Sequence, residues 1–107
     1  MENPMTKLPK PPQTYRDFVA RFPKLGEAWD TLSEAGQEGP LDAKTQRLLK
    51  LAVAMGAQKE GPVHASVRKA LAAGITREEM EQVVALAAGT LGMPSTVAVW
   101  SWIRETE

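Results

Sequence analysis

From Lys24 onward, apolar residues recur every three to four positions, and no stretch alternates in the manner of a strand. That period marks one face of an α-helix. Glycine, proline and capping residues cut the pattern into short segments, so a chain like this is constrained to a bundle of short helices. A helix over about Tyr15 to Phe22 is ended by Pro23, because the residue before a proline is pushed out of the helical region. The next runs over about Lys24 to Ala35, with Leu25, Ala28, Trp29 and Leu32 at helical spacing. Gly36 to Pro40 forms a loop.

Asp42 is the expected N-cap of a helix over about 43–56, with Leu48, Leu49, Ala52, Val53 and Met55 as its apolar stripe and Gly56 as its end. A further helix over about Glu60 to Ala73 stops at Gly74, a residue suited to the left-handed turn after a helix. Thr76 and Glu79 form a capping box that starts a helix over about 77–91, with Met80, Val83, Val84, Ala87 and Leu91 inward. The Gly92-Met93-Pro94 loop breaks it, and Ser95 is the expected cap of a last helix to about Arg104. The fold class is all-α, with about six helices.

The chain's 107 residues fit one all-α domain over 13–107. It follows an extended arm over 1–12 that holds half of the eight prolines and is ordered only by a neighbouring subunit. Thirteen basic residues balance thirteen acidic ones, which leaves no electrostatic footprint for nucleic acid or an anionic membrane. No apolar run approaches the roughly 20 residues that span a bilayer, and no signal core opens the chain, so a cytoplasmic protein is expected. Cysteine is absent, which removes disulfides, thiolate ligands and thiol nucleophiles. With a single histidine, no metal site is expected. Val97, Val99, Trp100, Trp102 and Ile103 occupy almost every azimuth of the final helix. Such a helix needs cover on more than one side, so a homo-oligomer is expected.

The one constellation suited to acid–base chemistry near neutral pH is Glu60 with His64. Spacing i,i+4 sets carboxylate and imidazole side by side on a helix. Val63, Val67, Ala70 and Leu71 define the buried stripe, with Glu60 within its edge and His64 on its shoulder. Burial would raise the carboxyl pKa, and a neighbouring carboxylate would raise that of the imidazole. Arg68, one turn on, is placed to hold a substrate carboxylate. The plainer reading is a structural pair at a helix start, where the macrodipole favours a carboxylate. Trp29, Trp100 and Trp102 read as core or interface residues. Ser66 points to another side of the helix from His64, and no glycine-rich phosphate loop occurs.

The segments Leu41 to Gly56 and His64 to Glu79, and the helix from Val83 into Gly92-Met93-Pro94, resemble the carboxymuconolactone decarboxylase-like family. The resemblance covers about 41–100. Its most specific part is the run His64-x3-Arg68-x-Ala70-Leu71-x2-Gly74-x-Thr76-x2-Glu79. One branch, similar to alkyl hydroperoxidase D, carries Cys-x2-Cys-x3-His. Those cysteine positions are Ala57 and Glu60 here, so thiol peroxidase chemistry is not expected. The decarboxylases proper carry Glu-x3-His, which Glu60 and His64 match. That branch also tends to have a tyrosine where Thr90 stands and a histidine where Leu86 stands, so the carboxymuconolactone substrate itself is not implied.

The resemblance implies an all-α bundle assembled as a trimer or hexamer, with a site near His64 between subunits. It also implies a small-molecule substrate and no cofactor. A carboxy-lyase or lactone-isomerising enzyme would use His64 to transfer a proton, Glu60 to orient it and Arg68 to anchor a carboxylate. The alternative is a non-catalytic oligomeric binding or scaffold protein of the same fold.

Overall fold

The computed structural model describes residues 13–107. The expected arm over 1–12 lies outside the described residues. Six helices and no strand occur among them: α1 (Gln13–Arg21), α2 (Pro23–Gln37), α3 (Ala43–Gly56), α4 (Glu60–Ala72), α5 (Arg77–Leu91) and α6 (Met93–Glu105). They fall into two compact units, one within Lys10–Leu41 and one over Asp42–Glu107.

In the first unit α1 packs on α2. Pro23 occupies the first turn of α2, where its missing N–H leaves no bond unmade, so one residue both stops α1 and starts α2. The crossing is close at Gly26, where an added Cβ would lie 3.2 Å from Val19. Neither helix buries a single residue.

In the second unit α3 packs on α4 and α5, and α6 packs on the same two helices, closing a four-helix ring. The core comprises Leu51, Ala54 and Met55 of α3, Val63, Val67 and Ala70 of α4, Met80 and Val84 of α5, and Val99 and Ile103 of α6, with Ile75 from the α4–α5 turn. Each large side chain fully buried here contributes about 1.5–3 kcal/mol relative to exposure. This is the rigid platform for the site.

Local signals set most boundaries. Asp42 accepts a hydrogen bond from the Thr45 N–H at 2.7 Å, as an N-cap should. Gly74 has φ +87°, with Gly74 N–H bonded to Leu71 O and Ile75 N–H to Ala70 O, both at 3.0 Å. This is the paired bonding of a Schellman end. The Thr76–Glu79 capping box is formed in both directions.

Two expectations are corrected. The inward stripe of α3 is Leu48, Leu51, Ala52, Ala54 and Met55, so Leu48, Ala52 and Met55 face inward as expected, while Leu49 and Val53 are exposed. Leu48 to Met55 is apolar apart from Lys50, so periodicity could not select an azimuth. As expected, α3 ends at Gly56; the left-handed residue in the turn that follows is Gln58, with φ 57°. Ser95 does not cap α6. Gly92, with φ +83°, turns the chain, and Pro94 stands in the first turn, so the helix begins at Met93.

Candidate functional site

Glu60 is the first residue of α4, where a carboxylate meets the unpaired N–H groups of the helix start. One turn on, His64 lies beside the buried Val63 and Val67. Its Nε2 is 3.0 Å from Glu60 Oε2. The Glu60 side chain is 56% exposed and that of His64 23% exposed. The expected burial of the carboxylate at the edge of the core is therefore corrected: the first turn of α4 projects it outward, and the imidazole alone bridges to the interior.

The other ring nitrogen is held from inside. His64 Nδ1 lies 2.5 Å from the hydroxyl of Thr106, the residue that follows α6. Thr106 is only 4% exposed, and its hydroxyl also lies 2.7 Å from the Trp102 carbonyl, to which it can donate. Arg77, at the start of α5, holds this stretch in place. It donates from Nη1 to Ile103 O at 2.8 Å and from Nη2 to Thr106 O. The last carbonyls of a helix lack intrahelical donors, and a guanidinium meets them with charge of the favoured sign.

Sequence reasoning missed Thr106 and Arg77. A lone threonine past a helix end carries no signal. Arg77 carried one: a cation in the first turn of a helix opposes the macrodipole, so its partner had to lie elsewhere.

Arg68 is half-buried and forms no hydrogen bond or ion pair with the described residues. It is one of four cations, with Arg47 and Lys50 of α3 and Lys69 of α4. The Lys69 ammonium is pushed below the usual lysine range, first by burial and then by the Arg47, Lys50 and Arg68 charges. None of the four is paired with a carboxylate among the described residues. Also among the described residues, no three His, Cys, Asp or Glu side chains gather to hold a metal ion.

The described residues are all helical apart from turns, with a Glu-x3-His pair on α4, one imidazole nitrogen facing a solvated carboxylate and the other anchored inside. The chain belongs to the carboxymuconolactone decarboxylase family, whose profile matches residues 23–105. No curated protein and no solved structure matches it. No described helix is long and apolar enough to cross a membrane.

Proposed function

We propose that the chain is an acid–base enzyme, a carboxy-lyase or lactone isomerase acting on a small carboxylic acid or lactone. The observation that carries this is the asymmetric seating of His64. Nδ1 is fixed on Thr106 in the interior, and Nε2 is directed to the exposed Glu60 carboxylate. Such an imidazole presents one nitrogen to a substrate and keeps its orientation while a proton comes and goes. Glu60 orients Nε2. Arg68, grouped with Arg47 and Lys50 around Lys69, supplies an unneutralised positive field for a substrate carboxylate.

In a decarboxylation the bond to the departing CO2 breaks and its electron pair passes to the carbon and its conjugated acceptor. The charged ring then delivers its Nε2–H proton to that carbon and becomes neutral, and it regains a proton from water at the Glu60 side. No thiol step is proposed, since the chain holds no cysteine.

We further propose a homo-oligomer, trimeric or hexameric, as the working state. Its support is the uncovered apolar surface. Met93, Val97 and Trp100 form an exposed stripe on α6, Leu49 and Val53 another on α3, and Leu86 of α5 is 76% exposed. Sedimentation velocity is expected to show a single species larger than the monomer.

The test of the chemistry is turnover of small lactone and β,γ-unsaturated carboxylic acids in D2O, followed by CO2 release and uptake of one deuterium. His64→Ala is expected to lower the rate by about 100-fold or more. Equal turnover by His64→Ala and the parent would refute the assignment. The engagement of both ring nitrogens within one chain favours a second reading, His64 as a strut between α4 and the end of α6. That reading predicts a loss of stability in His64→Ala and no turnover in either protein.

A further inference from the structure

We propose that Arg77 and Thr106 are positioning residues for His64, with the Thr106 hydroxyl as a rotor that follows the protonation state of the ring. The idea rests on the acid–base reading of His64 for its importance, and on hydrogen-bond geometry for its existence.

A threonine hydroxyl has one proton to give and lone pairs to receive. Thr106 Oγ1 lies within bonding distance of two groups, His64 Nδ1 at 2.5 Å and the Trp102 carbonyl at 2.7 Å. The carbonyl can only accept, whereas the ring nitrogen accepts or donates according to its proton. When the imidazole is neutral, its single proton is drawn to Nε2 by the Glu60 carboxylate, 3.0 Å away. Nδ1 is then a bare acceptor, and the Thr106 O–H points to it.

When the ring is charged, Nδ1–H donates to Thr106 Oγ1, and the hydroxyl proton turns to Trp102 O. The ring gains a proton, the O–H rotates, and no heavy atom has to move. Both states are therefore fully bonded at Nδ1, although Thr106 is buried away from water.

This arrangement holds only while Thr106 keeps its place beyond the end of α6. Its own N–H bond to Ile103 O is long, at 3.3 Å. The firm attachment comes from Arg77, which grips Ile103 O and Thr106 O together and crosses from a different helix. Arg77 forms no hydrogen bond with His64, so any effect of Arg77 on the ring passes through Thr106.

A single histidine makes the idea directly measurable, because every imidazole NMR signal belongs to His64. In the full chain, below the midpoint of the ring's titration, the Nδ1–H proton is expected to be protected from exchange with water. Above that midpoint the ¹⁵N shifts are expected to report the Nε2–H tautomer. Thr106→Val keeps the shape and removes the hydroxyl, and should speed Nδ1–H exchange by at least about tenfold, while Thr106→Ser should restore protection.

Arg77→Met should produce the same loss as Thr106→Val although it leaves the hydroxyl in place. A purely structural role for Arg77 would lower the melting temperature and leave the Nδ1–H signal protected, and that result overturns the proposal. So does an Nδ1–H signal in the parent that exchanges as fast as in Thr106→Val. These readouts need no substrate, so an absence of turnover would reject the enzyme reading without touching the relay.

Discussion

Neither α1 nor α2 buries a residue, whereas each helix from α3 to α6 buries at least two. The two units are built from similar local signals. Both have proline in a first turn, apolar residues at helical spacing and aromatic side chains. Phe18, Phe22, Leu25, Trp29 and Leu32 of the hairpin are nevertheless all exposed. Two helices in contact share one seam, and the apolar face left over has nothing within its unit to cover it. Four helices in a ring enclose an interior. A helix is thus specified by sequence neighbours, but a core requires enough elements to close around it. The candidate site follows the same division. Every group that holds His64 comes from α4, α5 or the residue that caps the end of α6, all within the four-helix unit.

The sharpest way to break this contrast is to truncate one side chain in each unit. Met55→Ala removes a side chain that is fully buried, and should lower stability by about 3 kcal/mol in chemical denaturation. Trp29→Ala removes a larger side chain that is 56% exposed, and should change the bundle's transition by less than about 0.5 kcal/mol. A loss at Trp29 as large as at Met55 would mean that the hairpin face is covered in the working protein, as a homo-oligomer requires. Sedimentation of Trp29→Ala would then show dissociation alongside the lost stability.

The next effect in size concerns the caps, which are where sequence and structure agree best. Thr76→Ala removes the side-chain acceptor for the Glu79 N–H, 3.1 Å away, and should lower stability by about 1 kcal/mol. The caps at Asp42 and Thr76 and the left-handed Gly74 were legible because each acts within a few residues of itself. So were Val63, Val67, Met80 and Val84 as core, since polar neighbours left one face to bury.

The inward face of α3 was legible only at Leu48, Ala52 and Met55, because Leu48 to Met55 offers several apolar azimuths and only contact with α4 and α5 chooses among them. Half of the candidate site was legible too. Glu60 and His64 share a helix, so their spacing is visible in the sequence. Thr106 lies 42 positions from His64 and Arg77 29 from Thr106, distances at which no periodicity carries information.

A smaller effect separates the units by pH. Glu79 is held below the usual carboxylate range, first by its bond to Lys44 and then by the Thr76 backbone N–H. Asp42 is likewise lowered, first by the Thr45 backbone N–H. A carboxyl whose folded pKa is depressed adds stability that is complete above the unfolded value. That stability is lost as the pH falls through the folded one. Both groups belong to the α3–α6 unit, so acid should weaken that unit progressively below about pH 4.5. Lys44→Met removes the first cause at Glu79 and should flatten this acid limb, as followed by helical circular dichroism from pH 6 to 2. An unchanged limb would place the acid sensitivity elsewhere.

The smallest effect is at Lys69, and it turns on how the two units treat cations. In the hairpin, Arg16 donates to Gln13 at 2.6 Å, and the Arg21 guanidinium sits 4.7 Å over the Phe22 ring. In the bundle, Lys69 meets burial and three other cations instead. Its folded pKa lies below the unfolded one, so the unfolded chain binds that proton more tightly. Stability therefore rises as the pH climbs through the folded value toward about 10.4, and the deficit is fully present at neutral pH. Lys69→Gln should relieve it, raising stability by about 0.5 kcal/mol after solvent screening, with a gain that shrinks as salt is added. A carboxylate bound at Arg68 would relieve the same repulsion. Small carboxylic acids should accordingly raise the melting temperature of the parent more than that of Lys69→Gln, and an equal rise in both would argue that the four cations do not act on a ligand together.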